Sequence, residues 1–138
     1  MSLSLARNNV SYTVRLRTPQ GRRVGFFNGL WGGEMPTGMF VTEARWSNMP
    51  PVATLFEKVT QAQQFRKDLL NLHLSEIRHK RKHLTEQEDV LSRMTPANDY
   101  YANLLQYTID LEKELAEAIE MVPYIENAEI VRIVVETA

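Results

Sequence analysis

Residues 101–123 read YANLLQYTIDLEKELAEAIEMVP, and the fold turns on their spacing. Tyr101, Leu104, Thr108, Leu111, Leu115, Ala118 and Val122 recur at alternating steps of three and four, the repeat that holds one stripe of a helix against a partner helix. Pro123 is expected to stop the helix, because it has no N–H to donate and its ring crowds the preceding turn. The mate lies upstream. Ala62, Phe65, Leu69 and Leu72 recur at helical spacing beside Leu70, Leu74 and Ile77, after a capping-box pattern at Thr60-Gln61-Ala62-Gln63. This helix is expected to end near His83, where Arg78-His79-Lys80-Arg81-Lys82-His83 sets cations against the negative end of the dipole. Thr85-Glu86-Gln87-Glu88 predicts a short helix to Met94, and Thr95-Pro96 a third start, with proline at the first helical position. The result is an antiparallel helical hairpin over 57–122, although so regular a seam also suits a second subunit.

Outward from the hairpin the period changes to two. Val10, Tyr12, Val14 and Leu16 alternate with Ser11, Thr13, Arg15 and Arg17, predicting a strand with one buried and one wet face. Thr18-Pro19-Gln20-Gly21 suits a tight reversal into a return strand from Arg22 to about Asn28 that carries Val24, Phe26 and Phe27. The glycines around Trp31 break that strand, and a loop follows to Gly38. Met39 to Trp46 reads as one strand, with Phe40, Thr42, Ala44 and Trp46 on one side; Asn48-Met49-Pro50-Pro51 ends it. Val52 to Phe56 is too short to type by periodicity; strand is preferred to helix. Glu129 to Glu136 alternates Val131, Ile133 and Val135 with Arg132 and Glu136, and most simply returns to the N-terminal sheet. The expected fold is therefore α+β: an N-terminal antiparallel sheet of about four strands (1–56), a long antiparallel helical hairpin (57–122) and a closing strand (129–136), one domain over 1–138.

Composition narrows the function classes. The chain is 138 residues, 43% apolar and free of cysteine, so neither disulfides nor thiolate metal sites hold it together, and a reducing, cytoplasmic setting is expected. No run reaches the length of a membrane span, and the start lacks a secretory signal. The net charge of −1 conceals a division. Residues 1–56 carry +4, 57–83 carry +4, and 84–138 carry −9. Such halves attract, either within one hairpin or head-to-tail between subunits.

Catalytic patterns are missing. His79 and His83 stand four apart, a metal-sharing spacing, but the flanking Arg78, Lys80, Arg81 and Lys82 repel a cation, so no metal and no cofactor is expected. The glycines near Trp31 lead into a strand and not a helix, which argues against a phosphate loop. His73 is expected to pack beside Leu72 and Leu74. No Gly-x-Ser-x-Gly elbow is present, and the chain is expected not to be an enzyme. Binding residues are easier to name. Arg15, Arg17, Arg22 and Arg23 can gather near one end of the sheet and hold phosphates through bidentate hydrogen bonds; the alternative is an ordinary solvated sheet face. Arg132 is the only charge between Ile130 and Val135. It is either a wet-face residue or a cation lining an anion pocket. Asn98, Tyr100 and Tyr101 offer amide bonds and stacking surface to a similar ligand, or simply start a helix. Glu112, Glu117 and Glu120 form an acidic helix face that suits a protein partner. Nucleic acid is the less favoured partner, because the acidic second half repels phosphate backbones.

The order of elements, in which Val52-Ala53-Thr54-Leu55-Phe56 leads through Ala62 and Phe65 to a closing Ala128-Glu129-Ile130-Val131, resembles small bacteriophage-encoded accessory proteins. Among these, a sheet followed by two long helices looks like the counter-defence proteins that sequester cyclic-nucleotide immune signals and assemble as oligomers. The resemblance implies a non-catalytic homo-oligomer in the host cytoplasm that holds a small anionic nucleotide or covers a host defence protein. A virion structural or assembly protein, or a nucleic-acid-binding accessory protein, is the alternative.

Overall fold

The computed structural model describes residues 10–19, 22–23, 34–35, 37–42, 45–47 and 54–134. In chain order the elements are β1 (Val10–Leu16), β2 (Arg22–Arg23), β3 (Glu34–Met35), β4 (Met39–Thr42), β5 (Arg45–Ser47), α1 (Val59–Arg93), α2 (Tyr101–Glu126) and β6 (Glu129–Val134). The protein is α+β, with a four-stranded antiparallel sheet in the order β5-β4-β1-β6. The C-terminal strand returns beside the first over six residue pairs, from Val10 opposite Val134 to Arg15 opposite Glu129.

The other edge of β1 corrects the expected hairpin. It pairs with β4 through Arg15 opposite Phe40 and Leu16 opposite Met39, and Tyr12 exchanges two 2.7 Å backbone hydrogen bonds with Phe56. With both edges of β1 occupied, Arg22–Arg23 pairs instead with Glu34–Met35 in a separate two-stranded sheet, inside what the sequence suggested was loop. Val24, Phe26, Phe27, the stretch 29–33, Glu43, Ala44, Val52, Ala53, Val135 and Glu136 lie outside the described residues. Thr54–Phe56 is extended, since the Thr54 N–H donates to the Val41 carbonyl at 2.7 Å.

Residues 39–46 are two strands, not one. Val41 faces Trp46 and Thr42 faces Arg45 across an antiparallel pair. That register places Val41 and Trp46 on one face, whereas in a single strand their odd separation would put them on opposite faces. The consequence is the core. Met39, Val41 and Trp46 join Val14 and Leu16 of β1, Leu69 of α1, and Met121, Ile125 and Ala128 at the end of the hairpin in one buried cluster. Each fully buried aliphatic side chain there stabilises the fold by roughly 1.5–3 kcal/mol.

The sheet face turned away from the helices is also covered along β1. Ser11 is 5% exposed and Thr13 fully buried, so the expected wet face is wet at Arg17 and only partly so at Arg15.

The helical hairpin is simpler than the sequence suggested. α1 is one helix of 35 residues, about 52 Å long. Its N-cap is Lys58, whose backbone N–H is accepted by Gln61 Oε1 at 3.1 Å, so the capping box sits two residues before its expected position. No break occurs after His83: Leu84 is buried, and Thr85 Oγ1 donates to the Arg81 carbonyl at 3.0 Å, an internal back-bond and not a cap. Thr95 and Pro96 lie in a turn that ends when Asn98 Oδ1 accepts the Tyr100 N–H at 2.9 Å, and α2 starts at Tyr101.

Pro123 lies within α2, which continues to Glu126. The lost bond is the one to the carbonyl of Ile119, a residue 40% exposed, where water can serve instead. Along α2 the buried positions are Thr108, Leu111, Ala118, Met121 and Ile125, so Met121 and Ile125 extend the seam past the proline onto the sheet.

The helices are antiparallel neighbours, and three side-chain contacts set their relative heights. His73, fully buried, has Nε2 at 2.6 Å from the Ala118 carbonyl; a carbonyl can only accept, so Nε2 carries the proton. Lys80 Nζ is 3.5 Å from Glu114, and His83 Nε2 is 2.8 Å from the Tyr107 hydroxyl. Leu72, expected in the seam, is 39% exposed. No helix among the described residues is long and apolar enough to cross a membrane.

Candidate anion-binding site

Strand alternation sends Thr13, Arg15 and Arg17 to the face of the sheet away from the helices, and the registers add Phe40 from β4 and Glu129 from β6 to the same face. Arg15 therefore has an aromatic ring directly opposite on one side and a carboxylate directly opposite on the other. Its guanidinium goes to the ring, with Cζ 5.4 Å from the centroid of Phe40. The carboxylate is taken by its neighbour: Arg17 Nη1 lies 3.0 Å from Glu129 Oε1. That exposed pair contributes at most about 1 kcal/mol to stability, but it removes the nearest anion from Arg15.

Three further features concentrate around Arg15. Gly38 has a φ of +83°, and a Cβ there would collide with Arg15 Nη2 and lie 2.8 Å from Nε and 2.9 Å from Cζ. Glycine thus satisfies a left-handed backbone and leaves room for the guanidinium at once. Arg15 Nε is sealed from solvent without a hydrogen-bond partner, and so are the hydroxyls of Thr13 and Thr18. Thr18 is held in place through its carbonyl, which accepts from Thr37 Oγ1 at 2.8 Å. Among the described residues no carboxylate or carbonyl accepts from the Arg15 guanidinium. A half-buried cation with unused fork-shaped donors, set over an aromatic ring, is chemically complementary to a phosphate or carboxylate.

Arg132, Asn98, Tyr100 and Tyr101 do not converge on this place. Arg132 lies opposite Tyr12, hence on the helix-covered face, but it is exposed, on a strand at the edge of the sheet. The thickness of the sheet separates it from Arg15. The backbones of Arg22 and Arg23 pair with Met35 and Glu34, while their side chains lie outside the described residues. Asn98, Tyr100 and Tyr101 stand at the far end of the hairpin, one α2 length, about 39 Å, from its sheet end. Asn98 spends its side-chain oxygen on the turn, and Tyr100 is 74% exposed.

Glu112, Glu117 and Glu120 do not share one narrow face. Glu112 and Glu120 are exposed, whereas Glu117 is half-buried in a shallow depression of about 240 Å³ with Asp110, Lys113 and Glu114. Among the described residues no three His, Cys, Asp or Glu side chains converge as metal ligands, and His83 is engaged by Tyr107. Phe40 and Gly38 were missed in the sequence: without the β1–β4 register nothing ties either to Arg15. No protein-family model matches the chain, and neither the curated proteins nor the solved structures contain a match.

Proposed function

We propose that the protein is a non-catalytic binding protein of phage type that holds a small anionic nucleotide on the outer face of its sheet, with Arg15 as the principal contact, and so removes a signal on which a bacterial defence depends. The observation that carries the proposal is the unmatched guanidinium. A partly desolvated charge with no acceptor is a net burden to the folded chain, and its retention where the neighbouring carboxylate is already held by Arg17 is accounted for by a ligand that supplies the missing anion. Arg17 lies one alternate position away, and the Phe40 ring holds the guanidinium through a cation–π contact. The arrangement offers binding groups but no nucleophile with an adjacent base, so sequestration and not turnover is the proposed mode. A cytoplasmic homo-oligomer is part of the same reading: the cysteine-free composition suits the compartment, and the charge division between the two halves suits association.

The test is native mass spectrometry of the protein after mixing with a deproteinised nucleotide extract from infected, defence-positive cells. The expected result is a discrete mass gain of a few hundred daltons per chain that disappears in Arg15→Met. No gain, or the same gain in the variant, overturns the proposal.

A further inference from the structure

The outer side of the hairpin carries a second pattern. Ala102, Leu105, Ile109, Glu112, Ala116 and Ile119 step by three and four along α2, one position behind the seam that meets α1. Leu105 is 40%, Ile109 47% and Ile119 40% exposed. With turns of about 100° per residue, this row lies nearly opposite Met121 and Ile125, through which α2 meets the sheet. On α1, Lys67, Arg78 and Arg81 lie nearly opposite Phe65 and Leu69 by the same count, and all three are exposed. One flat side of the hairpin, turned away from the sheet, therefore joins an apolar row interrupted by Glu112 to a cationic row that flanks half-buried Leu70 and Leu74.

We infer that this side pairs with the same side of a second copy, α2 of each chain lying against α1 of the other about an axis parallel to the helices. The inference deepens the oligomeric part of the proposed function and rests on it, while leaving the sheet site untouched. An isologous contact must be self-complementary, and here the apolar and acidic row of one chain meets the cationic row of the other. Heights follow from the contacts within the hairpin. His73 is level with Ala118, Lys80 with Glu114 and His83 with Tyr107. Two copies related by an axis along the hairpin stand at equal height. Glu112 then falls level with Arg78 of the second copy, Ala116 with its Leu74, and Ile109 with the aliphatic stem of its Arg81. Within one chain none of Arg78, Arg81 and Glu112 has an ion-pair partner among the described residues. Their charges are available for the second copy.

The experiment is sedimentation equilibrium of the full chain at micromolar concentrations, with circular dichroism to verify folding. The wild type is expected to sediment as an even-numbered oligomer. Ile109→Asp, at an exposed position that the fold does not need, is expected to give a folded monomer. Glu112→Arg and Arg78→Glu each place like charges at the contact and shift the mass toward monomer, and the combined reversal restores association. A monomeric wild type, an unaffected Ile109→Asp, or a combined reversal that stays dissociated overturns the inference. Nucleotide mass gain is read separately on the wild type: its absence from an intact wild-type oligomer counts against the sheet site, not against the pairing.

Discussion

Replacing Arg15 by methionine is expected to make the protein more stable while removing its ligand. The sealed Nε–H has no acceptor, and leaving such a donor unsatisfied costs about 1–3 kcal/mol. Against that stands the contact with the Phe40 ring, which returns about 0.5–1 kcal/mol. Methionine retains an unbranched apolar stem of similar reach and packs favourably on an aromatic ring. The balance is a gain of roughly 1 kcal/mol, a rise in Tm of about 3–5 °C for a chain of this length. Thermal unfolding and urea denaturation of the ligand-free proteins measure it, with Arg17→Met as the comparison. Arg17 is in an exposed ion pair, so its replacement is expected to change stability by less than about 1 kcal/mol. A clear fall in Tm for Arg15→Met would refute the reasoning, because it would mean that the guanidinium is satisfied within the folded chain and is a structural residue.

Three other substitutions probe the same structure. Gly38→Ala is expected to cost about 1–2 kcal/mol through its left-handed backbone; in an Arg15→Ala background the cost should drop by about 0.5–1 kcal/mol as the crowding against the guanidinium goes, and equal costs in both backgrounds would mean that the two residues are not in contact. His73→Ala removes a fully buried ring bonded to the Ala118 carbonyl and should destabilise by about 2–4 kcal/mol in urea titrations. Thr85→Ala should be neutral or stabilise by a few tenths of a kcal/mol, since Thr85 is inside a helix; a loss of about 1 kcal/mol would instead indicate a cap.

The parts of this fold that the sequence made legible are those with a sustained local period. β1 covers the expected alternation up to Leu16, one residue short of Arg17, and β6 returns to the sheet as its own alternation suggested. The α2 seam was readable because its repeat is sustained, and Thr108, Leu111 and Ala118 are buried along it. What escaped was non-local or lacked a punctuating residue. Nothing in Glu43-Ala44 marks the reversal between β4 and β5, so only the register discloses that Trp46 shares a face with Val41. Thr85 and Pro96 have start-signal chemistry, yet buried Leu84 keeps the first helix running and the Asx turn at Asn98 sets the start of the second. At the candidate site, Arg15 and Arg17 were visible as alternating cations. Their inequality was not, because it depends on which of them captures Glu129, a choice made between strands more than a hundred residues apart.

That separation also fixes an order of assembly. One edge of β1 waits for β6, more than a hundred residues further along the chain. During synthesis that edge stays unpaired until those residues have been made. The intervening helices shorten the wait in space if not in time: once α1 and α2 have closed on each other through local contacts, the ends of a long loop are already close. The entropy of joining β6 to β1, which grows with the logarithm of loop length, then falls on a preformed clamp and not on a free coil. Any change that slows hairpin closure should prolong the exposure of an unpaired strand edge, the state from which aggregation starts.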